Sequence, residues 1–172
     1  MFSQTSEYAL RVVAHLATLE GNAATTKELA AATRVPEGYL AKVIRSLNVA
    51  GIVSSQRGLH GGSILARPST EITVYDVVHA VTPIQRIRTC PLGIQAHGTA
   101  LCPVHRQLDD AIAIVERTLR ESTIADLLSE PSRNKPLCDP DETPKRGGKA
   151  RTAVTLTVSR KRSSISSIET NR

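Results

Sequence analysis

Residues 25–66, TTKELAAATRVPEGYLAKVIRSLNVAGIVSSQRGLHGGSILA, decide the fold that we predict for this chain. Thr25 and Glu28 have the spacing of a capping box, which predicts the start of a helix. That helix must end near residues 33–35, because a residue before proline rarely stays helical. Pro36 itself suits the first position of a second helix, where its missing N–H leaves no hydrogen bond unmade. The stretch therefore predicts two helices separated by a short turn.

The second helix is predicted to have one apolar and one polar face. Its apolar residues recur at spacings of three and four, which is typical of a helix packed on a core: Leu40, Val43, Ile44 and Leu47. The opposite face carries Gly38, Lys42, Arg45, Ser46 and Val49, with Glu37 and Tyr39 at its edges. After Gly51 the sequence predicts two strands, residues 52–56 and 63–66, joined by a Gly-rich loop. This order is that of a helix-turn-helix followed by a wing.

The polar face of the second helix has the side chains that a DNA-reading helix needs. The major groove admits one α-helix, which reaches phosphates and base edges with extended polar side chains. Glycines in the wing allow close approach to a phosphate or a minor groove. A helical hairpin with a solvated basic face is the alternative, and the wing favours DNA. We expect contacts from Thr26, Lys27, Glu37, Tyr39, Lys42, Arg45 and Ser46 in the helices and from Gln56, Arg57, Gly58 and His60 in the wing.

Charge and composition agree with a regulator that binds DNA through one part of its surface. The net charge is +6, but residues 1–130 hold equal numbers of acidic and basic residues, so the excess lies in residues 131–172. Within the first part, residues 25–67 are basic and residues 68–130 are acidic. Aromatic residues make up only 2%, so the core must be aliphatic. No signal-peptide pattern or apolar run of membrane-spanning length occurs, so we expect a cytoplasmic protein without membrane contact.

The rest of the chain predicts a mainly α protein with a small β-hairpin. Helices are expected over residues 3–19, after the cap Thr73, over residues 103–121 and after the cap Thr123. The helix at 103–121 has an apolar stripe of nearly heptad spacing, which suits packing along a partner helix: Val104, Leu108, Ala111, Ile112, Val115 and Leu119. Residues 82–102 should be irregular. We expect one domain at residues 1–130 and a basic, disordered tail at 131–172, which a weak strand pattern at 154–158 interrupts.

Several motifs in residues 1–130 resemble the IscR/NsrR-type family of bacterial winged-helix transcription regulators. They are Ser6-Glu7-Tyr8-Ala9-Leu10, Val35-Pro36-Glu37-Gly38-Tyr39-Leu40, Gly51-Ile52-Val53-Ser54-Ser55, Arg57-Gly58 with Gly61-Gly62, and Ile72-Thr73-Val74-Tyr75-Asp76-Val77. Ser63 departs from the family, which usually has an aromatic residue there. The resemblance implies a two-fold dimer joined by the long helix, and we expect it to bind a palindromic promoter site, most simply as a repressor.

The same resemblance implies a site in the loop before the long helix, where many members carry an iron–sulfur cluster on three cysteines. Cys90 and Cys102 match the first and last of these, and His105 matches a histidine that often follows. The middle cysteine is missing, with His97 near its place. Glu7 falls where some members use a carboxylate ligand from the other subunit.

The chemistry of these residues leaves several states of the loop open. Two cysteines and two histidines suit zinc or an iron–sulfur cluster with mixed sulfur and nitrogen ligands. Cys90 and Cys102 could also form a thiol pair that oxidises reversibly, or no site at all. Two functions follow: a DNA-binding regulator with a sensing loop at residues 90–105, or a small metal-binding protein or metalloenzyme. We expect the regulator and no enzyme, because the sequence has no nucleophile elbow, P-loop or zinc-protease motif.

Overall fold

The computed structural model of this chain describes residues 3–56, 61–93 and 100–131. Six α-helices lie in these ranges: α1 Gln4–Thr18, α2 Thr26–Thr33, α3 Glu37–Val49, α4 Val74–Val81, α5 Pro103–Arg120 and α6 Ile124–Ser129. Strands β1 Val53–Gln56 and β2 Gly62–Leu65 form an antiparallel hairpin, and a 3-10 turn covers Ser69–Glu71. The predicted fold class, a mainly helical winged helix-turn-helix with a long additional helix, is confirmed.

The core is aliphatic, as the scarcity of aromatic residues predicts. Helix α1 packs against α2, α3 and α4, and its buried face meets the buried face of α3. The largest side chains with almost no exposure come from α1, α2, α3 and α6 and from the connections at residues 52 and 72: Leu16, Leu29, Leu40, Leu47, Ile52, Ile72 and Ile124. The four apolar residues predicted to face the core from α3 are all buried. Hydrophobic burial therefore fixes α3 on one side and leaves its other side outward.

Helix starts follow the predicted caps with one correction. Capping boxes form at Thr25 with Glu28, at Thr73 with Asp76 and at Thr123 with Asp126. The prediction that Pro36 occupies the first helical position was wrong. Pro36 is the N-cap residue, with an extended backbone of φ −58° and ψ 134°, and α3 begins at Glu37. The extended ψ turns the chain before the helix begins, so the turn from α2 covers residues 34–36 and reaches one residue further than predicted.

The wing is joined to the start of α2 through its second strand. The Ala24 N–H donates to the Ser63 carbonyl at 3.0 Å, and the Ser63 N–H donates to the Ala24 carbonyl at 2.8 Å. A Cβ atom at Gly62 would lie 2.6 Å from the Ala24 carbonyl oxygen, so this position excludes a side chain. Ser63, where the family usually has an aromatic residue, is buried at this junction. The second glycine of the pair is therefore needed for packing of the hairpin.

Three further expectations concern membrane-spanning helices, the irregular segment at residues 82–102 and the C-terminal tail. Among the described ranges, no helix is both long enough and apolar enough to cross a bilayer. Residues 82–93 and 100–102 contain no helix or strand, in agreement with the irregular segment predicted there. The tail from residue 132, with Cys138 and the strand pattern at 154–158, lies outside the described residues.

Candidate nucleic-acid interface and sensor loop

Helix α3 presents a continuous polar surface away from the core. Lys42 and Arg45 are exposed, Ser46 is half-buried, and Glu37 is exposed in the first turn. Tyr39 has 55% of its surface exposed, although it is an aromatic residue on a helix that packs on the core. Because cationic and hydroxyl side chains share this face, it can donate hydrogen bonds to phosphates and to base edges.

Helix α1 supports the first turn of α3 and the end of α2. The Tyr8 ring meets the Tyr39 ring edge-on, with centroids 5.9 Å apart and planes at 64°. Arg11 donates to the Thr33 carbonyl at the end of α2, at 3.4 Å, and forms an ion pair with Glu7. These contacts orient Tyr39 and satisfy a carbonyl that the end of a helix leaves unpaired.

The remaining predicted DNA contacts flank α3. Thr26 and Lys27 are exposed in the first turn of α2, and Gln56 is exposed at the end of β1. The Asn48 side-chain amide donates to the Ser55 hydroxyl at 3.2 Å, which joins the last turn of α3 to the first strand of the wing. Arg57, Gly58 and His60 lie outside the described residues. The described part of the predicted interface therefore lies on α2, α3 and β1, and Asn48 is a supporting residue that the sequence did not reveal.

Two of the predicted metal ligands meet at the start of α5. Cys102 is the N-cap residue, and its Sγ lies 3.2 Å from His105 Nδ1. Cys90 and Cys102 are both free thiols. No group of three or more histidine, cysteine or carboxylate side chains that could hold a metal ion occurs among the described residues. His97 lies outside them, and Glu7 is paired with Arg11.

This donor set does not fit a cluster held by four cysteines. Such a cluster needs four thiolate ligands, whereas the loop offers Cys90 and Cys102 alone. The contact between Cys102 and His105 brings together one sulfur and one nitrogen donor. The residues present are chemically closer to mixed sulfur and nitrogen ligation, or to a redox-active thiol, than to a four-thiolate site.

The segment before this loop is fixed to α5 by a carboxylate that the sequence analysis missed. Asp109 accepts from Arg86 Nε at 2.6 Å, from Arg86 Nη2 at 2.5 Å and from the Ile87 N–H at 2.8 Å. It is only 8% exposed. The hydrogen bonds from the Arg86 side chain, with a smaller contribution from the Ile87 N–H, lower the pKa of Asp109 to about 2. An irregular segment gives no periodic signal, so a pair 23 residues apart could not be predicted.

A second anchor joins the end of α4 to the same segment. The Ile84 N–H donates to His79 Nδ1 at 3.1 Å, and the His79 ring stacks on Tyr75 with centroids 5.0 Å apart. Both His79 and His15 are half-buried. The chain is thus held at residues 84–87, just before Cys90.

The predicted apolar stripe of α5 is only partly covered within one chain. Val104 is 65% exposed and Leu108 is 52% exposed. Stripe residues of α5 and residues 82–87 form a mostly apolar groove of about 450 Å³, whose lining also includes the polar side chains of Ser6, Thr82 and Gln85. A soluble monomer rarely leaves a continuous apolar surface of this kind in contact with water.

Comparisons with known proteins agree with this arrangement. Residues 2–130 match the model of the Rrf2 family, described as an iron-dependent transcriptional regulator. A Mycobacterium tuberculosis protein named as a candidate HTH-type transcriptional regulator is 37% identical over 130 residues, which cover 73% of this chain and 79% of the relative. A similarly named protein of Aquifex aeolicus is 28% identical over 132 residues, 75% of this chain and 92% of its own length.

Two solved structures share the fold. The structure of CymR, the global cysteine regulator of B. subtilis, has a TM-score of 0.61 and 26% identity, and the match covers 77% of this chain and 98% of CymR. The structure of T. potens IscR has a TM-score of 0.60 and 26% identity, and the match covers 74% of this chain and 85% of that one. The winged helix-turn-helix and the long helix α5 are thus features of known regulators of this type.

Proposed function

This chain belongs to the Rrf2 family of transcriptional regulators, and we propose that it acts as a homodimer on a palindromic promoter site. In this proposal each copy inserts α3 into a major groove and places its wing against the adjacent backbone or minor groove. Occupation of a promoter by such a dimer would block transcription, so we assign it as a repressor. Because bacterial promoters lie in the cytoplasm, we expect the protein to act there.

The observation that carries the proposal is the outward face of α3. Its four core-facing residues are all buried, whereas Tyr39, Lys42 and Arg45 are exposed and available for DNA. The strands of the wing are attached next to this face, because Asn48 connects β1 to the end of α3 and Ala24 connects β2 to the start of α2. Helix α3 and the two strands of the wing are therefore joined by hydrogen bonds, which limits the entropy lost on binding.

Dimerisation through α5 is supported by its exposed apolar stripe. The stripe extends over most of a helix of 18 residues, and burying it against a second copy would remove the exposed apolar surface of Val104 and Leu108 from water. A two-fold dimer places its two α3 helices on half-sites one helical turn apart or a multiple of that distance, which is why we expect a palindrome.

The direct test is a gel-shift titration on a duplex that contains the chain's own upstream region. We expect Lys42→Ala to weaken binding and to reduce the slope of log affinity against log salt by about one, since one phosphate contact is lost. Arg57→Ala should weaken binding in the same assay. Arg106→Ala, which removes an exposed arginine from α5, is the matched control and should bind normally. If both Lys42→Ala and Arg57→Ala bind as the parent does, the proposed interface is wrong.

We also propose that residues 90–105 are the sensing part of the protein. The family model is described as iron-dependent, and the supporting observation in this chain is the contact between Cys102 and His105 at the start of α5. A change at Cys102 would act directly on the first turn of α5, and the dimer interface that we propose lies on this helix. A metal, a cluster of mixed ligation, or oxidation of Cys90 and Cys102 would then favour one dimer geometry over another.

Anaerobic purification followed by an absorption spectrum and metal analysis identifies the chemistry of the loop. Iron with sulfide and visible absorption indicates a cluster, and stoichiometric zinc indicates a zinc site. A metal-free protein whose DNA affinity changes with diamide indicates a disulfide, formed as two thiols lose two electrons and two protons to the oxidant. In each case Cys102→Ser should abolish the response. DNA affinity that is the same with iron, zinc, diamide or none of them would contradict a sensing role.

The family assignment also favours the regulator over the alternative, a small metal-binding protein or metalloenzyme. Its matched relatives are named as transcriptional regulators, and the match spans all the elements described here. Stoichiometric zinc without any DNA binding would be the result that revives the alternative.

A further inference from the structure

We infer that the chain has a second ligand site, for a small oxyanion with two or more negative charges, in a groove lined by four arginines. We call it the arginine groove. It has a volume of about 350 Å³ and lies between residues 86–88 and the second half of α5. Its charged lining comprises Arg86, Arg88, Arg117, Arg120, Glu116 and Glu121.

Two of the four arginines have acidic partners that fix them in the groove wall. Arg86 forms a bidentate ion pair with Asp109. Arg120 donates to Glu116 Oε1 from Nε at 3.2 Å and from Nη2 at 2.9 Å, and its guanidinium carbon lies 3.5 Å from the centre of the Tyr75 ring. These two side chains therefore shape the groove, and their charges are largely balanced.

The other two arginines are available to a ligand. Arg88 and Arg117 are both exposed, and within the described part of the chain neither makes an ion pair or a side-chain hydrogen bond. One comes from the segment that leads to Cys90 and the other from α5. Each guanidinium offers a planar set of donors that matches a carboxylate or a phosphate. Two such groups on opposite walls suit an oxyanion that carries at least two charges.

The arginine groove lies on the side of α5 away from the apolar stripe. At about 100° per residue, Arg117 is about 180° around the helix from Leu108, which is in the middle of the stripe. Residues 82–88 lie between the two grooves: Ile84 and Ile87 line the apolar groove, whereas Arg86 and Arg88 line the arginine groove. A second copy packed on the stripe would therefore leave the arginine groove open to solvent.

Because of this placement, a bound ligand would affect the segment before Cys90. An oxyanion held by Arg88 and Arg117 would connect the segment before Cys90 to α5, in addition to the connection that Asp109 already makes. It would thereby stabilise one position of residues 86–90 relative to α5. The inference about binding does not depend on the DNA-binding function.

The test is isothermal titration of the full-length protein with inorganic phosphate and, separately, with citrate, in buffers matched in ionic strength with potassium chloride. We expect saturable binding of at least one of the two to the parent protein. Arg88→Ala and Arg117→Ala should each raise the apparent dissociation constant about tenfold or more, since each removes charge-assisted hydrogen bonds. Arg106→Ala removes another exposed arginine of α5 outside the groove and should bind as the parent does.

The outcomes separate the possible ligands and the possible failures. Binding of phosphate alone indicates a phosphate group as the natural ligand, and binding of citrate alone indicates a polycarboxylate. Circular dichroism of each variant must match the parent, and since both substitutions are at exposed positions we expect it to. Heat no greater than that of the potassium chloride titration, or equal affinity in the parent and in either groove variant, would overturn the inference.

Discussion

Helices α3 and α5 bury their side chains in opposite ways. Helix α3 has 13 residues and buries four apolar ones, Leu40, Val43, Ile44 and Leu47. Helix α5 is longer, at 18 residues, yet its one buried residue is the acidic Asp109. The four core-facing side chains of α3 are buried within its own chain, whereas Val104, Leu108 and Ile114 of α5 are each more than half exposed.

The difference indicates which part of the molecule is complete in one copy. The reading surface on α3 is supported from behind by α1 and at its end by the wing, so one chain is enough to form it. Helix α5 is attached to its own chain by polar contacts at Asp109 and by the contact of Arg120 with the Tyr75 ring. Ligands can change the geometry of polar contacts at a surface. Helix α5 is therefore better suited than α3 to move in response to a signal.

The largest expected effect comes from comparing two leucines, one on each helix. Leu47→Ala removes a fully buried side chain of α3 and should lower the free energy of unfolding by about 2–5 kcal/mol. Leu108→Ala removes a half-exposed side chain of α5 and should change the stability of the monomer by about 0.5 kcal/mol or less. It should instead raise the dimer dissociation constant about tenfold.

Urea denaturation and sedimentation equilibrium of both variants measure these two effects. The comparison between α3 and α5 fails if Leu108→Ala unfolds as readily as Leu47→Ala while its dimer dissociation constant stays at the parent value.

A smaller effect is expected at the junction of the wing. Gly62→Ala would place a Cβ 2.6 Å from the Ala24 carbonyl oxygen, so the backbone must shift, at a cost of about 1–3 kcal/mol. Gly38→Ala is the matched control, because a Cβ there meets nothing within 4 Å and alanine favours a helix by up to about 1 kcal/mol. Thermal unfolding should move in opposite directions for the two variants. A Gly62→Ala protein as stable as its parent would mean that the hairpin is not held against residue 24 as described.

The smallest effect concerns acid stability at Asp109. Its pKa is about 2 in the folded protein, below its ordinary value of 3.8, so the unfolded state binds the proton more readily. The stabilising contribution is therefore complete above about pH 4 and is lost as the pH falls towards 2. Asp109→Asn should reduce the slope of the unfolding free energy against pH in this window, by the equivalent of up to about one bound proton. This holds whatever the stability of the variant at neutral pH.

Urea titrations at several values of pH between 2 and 5 give this slope. Asp110→Asn, at the exposed neighbouring residue, is the control. Equal slopes for the parent and Asp109→Asn would remove the ion pair between Asp109 and Arg86 from the account.

The same contrast explains what the sequence could predict. The faces of α3, the three capping boxes and the hairpin follow from local spacing, and the structure confirms them within one or two residues. The contact from Arg86 to Asp109 and the contact of Arg120 with the Tyr75 ring join residues far apart in the sequence. No local pattern encodes such pairs. The sensing role of Cys90, Cys102 and His105 rests on resemblance and stays a prediction, as do the individual DNA contacts.

The central claim is that two copies of this chain read a symmetric duplex with α3 and the wing. Fluorescence anisotropy at moderate ionic strength, with the chain's own upstream region and with a random duplex of the same length, tests it most directly. We predict that two chains bind each upstream site, with a preference of at least about a thousandfold over random duplex. Equal affinity for the two duplexes, or binding as a single copy, would contradict the claim.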